Sequence, residues 1–422
     1  MLYFVVPFVH LRNGIKQVMP VIPGLRSKEL AIYKSITILA KDGVVTIQAY
    51  NGIDRIEVCL HNVDIVQEGK VICDPKSLLA TIRSMQGKPV KKTRIKIKAM
   101  PDDTIEVSPV LELGNPGKVD KQTTIKLHCT IKGMHGYNID DVTGYLEDDI
   151  EGENSELFTN LFMTSFLDGV DSTLFACSTD GDQGDRRNLA GVRIIFNEDQ
   201  PTRFVATDGC RLVTVVKDGV KFDNTYPLSV HECTLRRDSL QSLQKILTNT
   251  KCLPDDEIHF LRSEDHNRII MRFPRQMMTF STLVVDQRYP DWEQVIPKPD
   301  IKFTVEQSKI EEILSHVPKQ TKRNPAIPVW FEVTDSVLTL SWKEEGSKAV
   351  TFTTPISRQT GIDFAIQFNA HYLLDAITIR GHEMVTTQEF YFVEKNYESL
   401  PMIIRGADYS NALHLIMPMR SR

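Results

Sequence analysis

Few residues in this 422-residue chain stand in patterns that chemistry requires. DGDQGD at 180–185 has the acidic spacing that opens a calcium loop, but its glycines are displaced and no glutamate stands at the twelfth position. It reads as a solvated loop. Asp208, Cys210 and His231 have the residue types of a nucleophilic constellation, yet Cys210 directly follows an Asp-Gly turn and nothing in the sequence brings His231 to it. There is no phosphate-binding G-x-x-x-x-G-K-[ST], no G-x-S-x-G elbow, no H-E-x-x-H and no dinucleotide fingerprint. No residue is therefore assigned to catalysis or to a metal, and no cofactor is called for.

The basic residues carry more information. Lys88, Lys91, Lys92, Arg94, Lys96 and Lys98 cluster in one stretch, and Arg186, Arg187, Arg236, Arg237, Lys319, Lys322 and Arg323 form smaller groups near helix ends. Taken singly, each group reads as a solvated face; recurring beside helices in every third of the chain, they could line one shared surface. The alternation of Arg94, Lys96 and Lys98 places them on one face of a strand. With 50 Lys and Arg against 55 Asp and Glu, the net charge of -5 excludes a protein that coats nucleic acid by bulk attraction. It leaves room for a local basic surface.

Hydrophobic residues at 41% and charged residues at 25% describe a chain that buries ordinary cores. Seven scattered cysteines with no C-x-x-C pair argue against a disulfide framework or a structural zinc site, and point to a reducing cytoplasm. The apolar start MLYFVVPFVH lacks a basic n-region and a cleavage site and reads as a first strand. No stretch is long and apolar enough to span a bilayer.

The elements that position these residues repeat. Helical spacing appears at 11–19 (Leu11, Ile15, Val18), 157–170 (Leu157, Leu161, Phe162, Phe166, Val170) and 308–317 (Ile310, Ile313, Leu314, Val317), near the start of each third. A second helix comes later in each, at 74–87, 236–249 and 369–381, with Asp74 as N-cap ahead of Pro75 in the first. Alternating strand-like runs lie between and after them at 44–50, 202–208, 211–216, 337–342 and 349–354. AYNG at 49–52 and ATDG at 206–209 are matching hairpin signals, and HGYNIDD at 135–141 and QRYPDWEQV at 287–295 both close a third with a tyrosine and an acidic turn. The fold class is α+β, with three tandem copies of a unit of two helices on antiparallel sheet.

The acidic stretch 146–156, with six acidic residues, and the proline joint 297–301 separate the copies. The expected domains are 1–145, 155–291 and 298–422.

Four segments resemble one family, the beta subunit of bacterial DNA polymerase III, a sliding clamp. ATDGCRL (206–212) is similar to the family's A-T-D-G-H-R-L, RYPDWEQVIP (288–297) to F-P-D-Y-x-x-V-x-P, FNAHYLLDAI (368–377) to F-N-x-x-Y-L-L-D-x-L, and LIMPMR (415–420) to V-V-M-P-M-R. The first third matches by order of elements, with PGLRSKE (23–29) resembling the loop after the first helix. The resemblance implies a non-enzymatic processivity factor of DNA replication. A head-to-tail homodimer would close six units into a ring around duplex DNA and tether the replicative polymerase. Helices would line the hole, and Arg26, Arg83, Lys88, Arg186 and Arg187 would touch phosphates without reading sequence.

It also implies a hydrophobic peptide pocket for the polymerase catalytic subunit, the clamp loader, other polymerases and repair proteins. Carried over, the pocket comprises Leu189, Thr207, Gly209, Arg211 and Leu212 from the second copy, Pro290 and Val295 from the joint, and Asn369, Tyr372, Pro401, Leu415, Met417, Pro418, Met419 and Arg420 from the third. Without the resemblance Leu212 and Val295 would read as ordinary core. Methionines at 417 and 419 suit a site that accepts several peptides. Cys210 stands in place of the motif's histidine, Gln294 where arginine is common, and Ser421 and Arg422 extend the ending, so peptide preference is expected to differ. Two other readings are a clamp-fold interaction scaffold that does not load DNA, and an enzyme acting on nucleic acid through Asp208 or His231.

Overall fold

A computed structural model describes residues 2–24, 31–84, 94–101, 104–110, 125–128, 155–179, 186–196, 201–217, 231–248, 250, 253–263, 267–318, 326–343, 348–378 and 385–419. One order of elements recurs three times: a strand running directly into a helix, four or five strands, a second helix, then three strands. In the first pass these are β1 (Tyr3–Pro7), α1 (Phe8–Val18), β2 (Ile36–Lys41), β3 (Val44–Tyr50), β4 (Asp54–Leu60), β5 (Asp64–Gln67), β6 (Gly69–Cys73), α2 (Pro75–Ser84), β7 (Arg94–Ala99), β8 (Thr104–Val110) and β9 (Ile125–His128). The second comprises β10 (Ser155–Phe162), α3 (Met163–Asp171), β11 (Gly191–Phe196), β12 (Thr202–Thr207), β13 (Arg211–Lys217), β14 (His231–Arg236), α4 (Arg237–Thr248), β15 (Glu257–Ser263), β16 (Arg268–Phe273) and β17 (Met278–Leu283). The third comprises β18 (Ile301–Glu306), α5 (Gln307–Ser315), β19 (Pro328–Thr334), β20 (Val337–Trp342), β21 (Val350–Pro355), β22 (Ser357–Thr360), β23 (Phe364–Asn369), α6 (Ala370–Ile377), β24 (Thr387–Phe392), β25 (Met402–Gly406) and β26 (Tyr409–Ile416).

The helical stripes read from spacing are the buried faces: Leu11, Ile15 and Val18 in α1, and Ile310, Ile313 and Leu314 in α5. Asp74 caps α2, accepting from the Ser77 amide at 2.9 Å. One expected helix is half strand. Residues 155–162 pair antiparallel with β15, and the helix starts only at Met163. Leu157 and Leu161 are spaced by four, which fits one helical turn and two strand repeats equally, so periodicity alone could not separate them.

The described residues form two compact units, one drawn mainly from 2–164 and 238–284 and the other mainly from 165–217, 231–237 and 285–419. The first unit holds two sheets, ordered β5-β1-β7-β8-β9 and β10-β15-β16-β17-β4-β3-β2-β6. In the second of these, β17 pairs with β4, so the last strand of the second copy is hydrogen-bonded to the first copy. The other unit repeats the arrangement: its nine-stranded sheet runs β14-β11-β12-β13-β26-β25-β24-β18-β22, joined where β13 meets β26, and β21-β20-β19-β23 forms a smaller sheet. Its core is a phenylalanine stack in which Phe303 lies on Phe390 at 5.3 Å and beside Phe331 at 6.0 Å, all fully buried. Each such ring contributes about 2–3 kcal/mol by leaving water.

In the first unit, the β3–β4 turn is closed by Asn51, whose Oδ1 accepts from the amides of Ile53 (2.9 Å) and Asp54 (2.7 Å), while Gly52 takes φ +94°. Three residues after Asn51, the carboxylate of Asp54 is buried and sits opposite Thr282 in the β4–β17 register. Its Oδ1 accepts from Ser239 Oγ at 2.5 Å and Thr282 Oγ1 at 2.7 Å, so one carboxylate holds a strand of the first copy to a helix and a strand of the second. Burial pushes the Asp54 carboxyl above its ordinary value; the hydrogen bonds from Ser239, Thr282 and Asn51 and the charge of Arg268 work against that shift. A folded-state acid raised in this way binds more protons than the unfolded chain, so its contribution is greatest at low pH and is lost as pH rises from the ordinary carboxylate range through the raised value. Asp54→Ala is expected to cost about 1–3 kcal/mol by leaving two buried hydroxyls without their acceptor. Its denaturant-measured stability should also lack the wild-type fall with rising pH; an unchanged profile would refute the assignment.

Candidate functional site

In the second unit the β12–β13 turn repeats the geometry of the β3–β4 turn with different chemistry. Asp208 Oδ1 accepts from the amides of Cys210 (2.9 Å) and Arg211 (3.0 Å), Gly209 takes φ +87°, and Thr207 Oγ1 donates to the Arg211 carbonyl at 2.6 Å. The position of Asp54, three residues past the turn's cap, is here taken by Arg211. Its Nε donates to Asp208 Oδ2 at 3.0 Å, its Nη1 to Asp375 Oδ2 at 2.5 Å and its Nη2 to the Phe175 carbonyl at 2.5 Å. The guanidinium lies 4.3 Å from the Tyr372 ring centroid and 5.2 Å from that of Phe175. Tyr372 and Asp375 stand three apart on α6, which presents both to the same side. Burial, reinforced by the nearby Asp208 charge, pushes the Tyr372 phenol up to about 12.

Around this centre the C-terminal strand supplies the second wall. Leu212 pairs with Leu415 across β13 and β26, and both are buried with Val205, Tyr289, Trp292, Ile403 and Leu413. The chain leaves β26 anchored by its backbone: the Met417 amide donates to the Cys210 carbonyl at 2.9 Å and the Met419 amide to the Gln367 carbonyl at 2.8 Å. The Met417 side chain remains 38% exposed despite this anchoring. Asn369 is buried and caps α6 through the His371 amide, and Pro401 is buried ahead of β25. Leu189 is buried in the short turn after Arg186, and Asn188 beside it donates to the Arg288 carbonyl at 3.3 Å, tying that turn to the segment carrying Pro290 and Val295. Pro290 and Val295 are exposed, Pro418 and Met419 are half-buried, and Arg420 lies outside the described residues. Gln294 donates to Asp291 at 2.6 Å.

The basic candidates fall differently. Arg83 is exposed in the last turn of α2 and Arg187 is exposed. Arg186 lies against Gly209 and donates to the Asp208 carbonyl at 2.6 Å, which ties it to the turn that holds Arg211. Arg26 and Lys88 lie outside the described residues, as do the loop 180–185 and the joint 146–154. On β7, Arg94 pairs with Asp64 at 2.6 Å, Lys96 with Glu106 at 3.3 Å, and Lys98 lies over Tyr3, so this alternating face is internally partnered. The Asp208 carboxylate, imagined as part of a nucleophilic set, is occupied by two amides and the Arg211 guanidinium. Among the described residues no group of three or more His, Cys, Asp or Glu is placed to hold a metal.

Reading the sequence missed Phe175, Asp208 and Asp375 as partners of Arg211. Asp375 was within reach, since it stands three residues after Tyr372 in the segment FNAHYLLDAI; Phe175 contributes a backbone carbonyl, which no side-chain pattern signals.

The comparisons with known proteins agree with this architecture. No family model matches the sequence. Among solved structures, a putative DNA polymerase III beta subunit from Eubacterium rectale superposes with a TM-score of 0.79 at 17% identity, covering 99% of both chains. A sliding clamp from Pseudomonas aeruginosa gives 0.77 at 17% identity over the full length of both, and one from Bartonella birtlesii, solved with griselimycin bound, gives 0.76 at 20%. The fold is that of the DNA sliding clamps. In sequence, the chain is similar to the beta sliding clamp of Pseudomonas aeruginosa, 24% identical over 252 residues, and to that of Streptococcus pneumoniae, 25% over 260. These alignments take in 60% of this chain and span 62% and 61% of those relatives. No helix among the described residues is long and apolar enough to cross a membrane.

Gly209 tests the turn. A Cβ there would sit 3.2 Å from Arg186 Nη1 on a backbone that L-residues rarely adopt. Gly209→Ala is expected to cost about 1–2 kcal/mol in denaturant unfolding, and a variant as stable as wild type would show that the turn is not held as described.

Proposed function

We propose that this protein is a bacterial DNA sliding clamp: a ring-shaped homodimer that encircles duplex DNA, holds the replicative polymerase to it, and performs no chemistry of its own. One observation carries the reading. Twice within the chain the third strand of one copy's hairpin series pairs with the final strand of the next copy, β4 with β17 and β13 with β26. Among the described residues the corresponding strands left over are β21, at the end of the four-stranded sheet, and β9, at the end of the five-stranded sheet. The nine-stranded sheet contains the four strands β14-β11-β12-β13 joined to the five strands β26-β25-β24-β18-β22. The two smaller sheets are the same four and the same five, waiting to be joined. Pairing β21 of one chain with β9 of another supplies the missing seam, and doing so reciprocally closes a head-to-tail dimer of six copies.

The three copies then correspond to domains at 1–145, 155–291 and 298–422. Arg26, Arg83, Lys88, Arg186 and Arg187 are proposed as phosphate contacts, giving a locally basic surface within a chain of negative total charge. The setting around Arg211, with Leu189, Thr207, Gly209, Leu212, Pro290, Val295, Asn369, Tyr372, Pro401, Leu415, Met417, Pro418, Met419 and Arg420, is proposed as the docking site for short segments of the polymerase III catalytic subunit, the clamp loader, other polymerases and repair proteins. Such work belongs in the cytoplasm.

Pro355 in β21 has no amide hydrogen to lose, so its nitrogen side faces the free edge, and the amides of Thr351 and Thr353 in the same phase face it too. Replacing both with proline removes edge donors while sparing β20. The wild type should sediment as a dimer, remain on closed circular DNA after loading and leave linearised DNA. Thr351→Pro with Thr353→Pro should sediment as a monomer and leave both DNAs equally; a monomeric wild type, or equal loss of wild type from both DNAs, would sink the ring.

For docking, Leu189→Ala with Met417→Ala should weaken a polymerase-tail peptide by about 2–4 kcal/mol in fluorescence anisotropy. Unchanged affinity would remove these residues from the site.

A further inference from the structure

We propose that Asp375 is a positioning residue of the docking site and that Arg211 serves as an internal strut for it, holding the Tyr372 ring in place rather than reading a charge on the incoming peptide. This rests on the docking reading above. Three nitrogens of the guanidinium already donate, to Asp208 Oδ2, Asp375 Oδ2 and the Phe175 carbonyl, and its two faces lie beside Phe175 and Tyr372. An arginine so engaged has its planar fork committed, and to bind a peptide carboxylate it would have to give up a bond it already makes. Its side chain is 13% exposed, against 32% for Asp375, so the carboxylate rather than the guanidinium is the more accessible member of the pair.

The strut also crosses a seam. Phe175, Asp208 and Arg211 belong to the second copy, whereas Tyr372 and Asp375 belong to α6 of the third. Asp375 therefore fixes how α6 presents Tyr372 to the β12–β13 turn. The same position in the first unit carries Asp54, which is buried and accepts from the hydroxyls of Ser239 and Thr282 and from the Asn51 side-chain amide. Removing the Asp375 carboxylate should loosen Tyr372 and release Nη1 of Arg211 to seek a new acceptor.

The experiment uses the full-length protein and a peptide with two apolar anchors flanking an aspartate, alongside the same peptide with asparagine, both titrated by calorimetry. Asp375→Ala should weaken the asparagine peptide about tenfold while Asp375→Asn, which keeps an acceptor oxygen, weakens it no more than about threefold. The preference for the aspartate peptide should rise several-fold in Asp375→Ala relative to wild type, because the released guanidinium can now take it. A helix that is merely destabilised would not produce that rise. Arg211→Lys should weaken the asparagine peptide as Asp375→Ala does, and the double variant should be no weaker than either single. Wild-type affinity in Asp375→Ala, fully additive losses in the double variant, or an unchanged aspartate preference would each overturn the proposal. If neither peptide binds the wild type, the docking reading itself fails, and this inference with it.

Discussion

The structure depends on one pairing rule: the last strand of the second copy completes a sheet of the first, and the last strand of the third completes a sheet of the second. β17 lies against β4 and β26 against β13, so the two largest sheets each draw on two copies, and each seam is a row of backbone hydrogen bonds with buried side chains on the core face. Such a seam is stronger than a docking of finished surfaces, because unpaired strand amides have no cheap alternative once water is excluded. The rule also leaves a surplus. Among the described residues, three copies satisfy two seams and leave β9 and β21 each at the end of a sheet. Exposed edges are hazards that natural proteins blunt or pair, and the proposed reciprocal pairing with a second chain would dispose of both at once.

The two interior seams share geometry but not chemistry. The caps Asn51 and Asp208 make the same pair of amide hydrogen bonds, and both turns carry a glycine with positive φ. Three residues past each cap, the two seams diverge. Asp54 is sealed under Ser239 and Thr282, which makes that seam a closed joint. Arg211 is held by two carboxylates, a carbonyl and two rings, and Met417, whose amide is tied to Cys210 in the same turn, is still partly open. A repeated scaffold has thus been finished once as a closed joint and once as the partly open setting proposed for docking.

Much of this was legible in the sequence, and the limits have physical causes. The paired helices, the Asx-Gly turns and the threefold order came from spacing, because a turn needing positive φ and a stripe needing burial restrict residue types strongly. The strand at 155–162 was not legible, since leucines four apart satisfy both periods. At the site, Thr207, Gly209, Arg211 and Tyr372 stand in recognisable segments. Their assembly does not: Arg211 reaches a carbonyl 36 residues back and a carboxylate 164 residues on, and sequence spacing says nothing about contacts of that span. Arg186 illustrates the same limit in reverse. As a basic residue near a helix it reads as a phosphate contact, and spacing gives no sign that its side chain lies on Gly209 in the β12–β13 turn, where one guanidinium borders both proposed surfaces.

The division between rigid and adaptable parts of the site is set by which atoms are tied. Backbone hydrogen bonds fix Met417 and Met419 at their amides, leaving an unbranched thioether of Met417 free to change rotamer at the surface. Beneath it, Leu212, Leu415, Tyr289 and Trp292 are packed in one buried cluster that cannot yield without opening a cavity. Under the docking role proposed above, a segment would meet a fixed floor and a movable rim, an arrangement that favours several partners of similar apolar content over one of exact shape. Under the same proposal, specificity among such partners would fall to the polar groups at the rim. In this chain those groups include the thiol of Cys210 and the amide of Gln294, the latter drawn aside by Asp291. Neither carries a positive charge, and Nε, Nη1 and Nη2 of Arg211 already donate within the protein, so under that proposal the rim would select by shape and apolar content more than by charge.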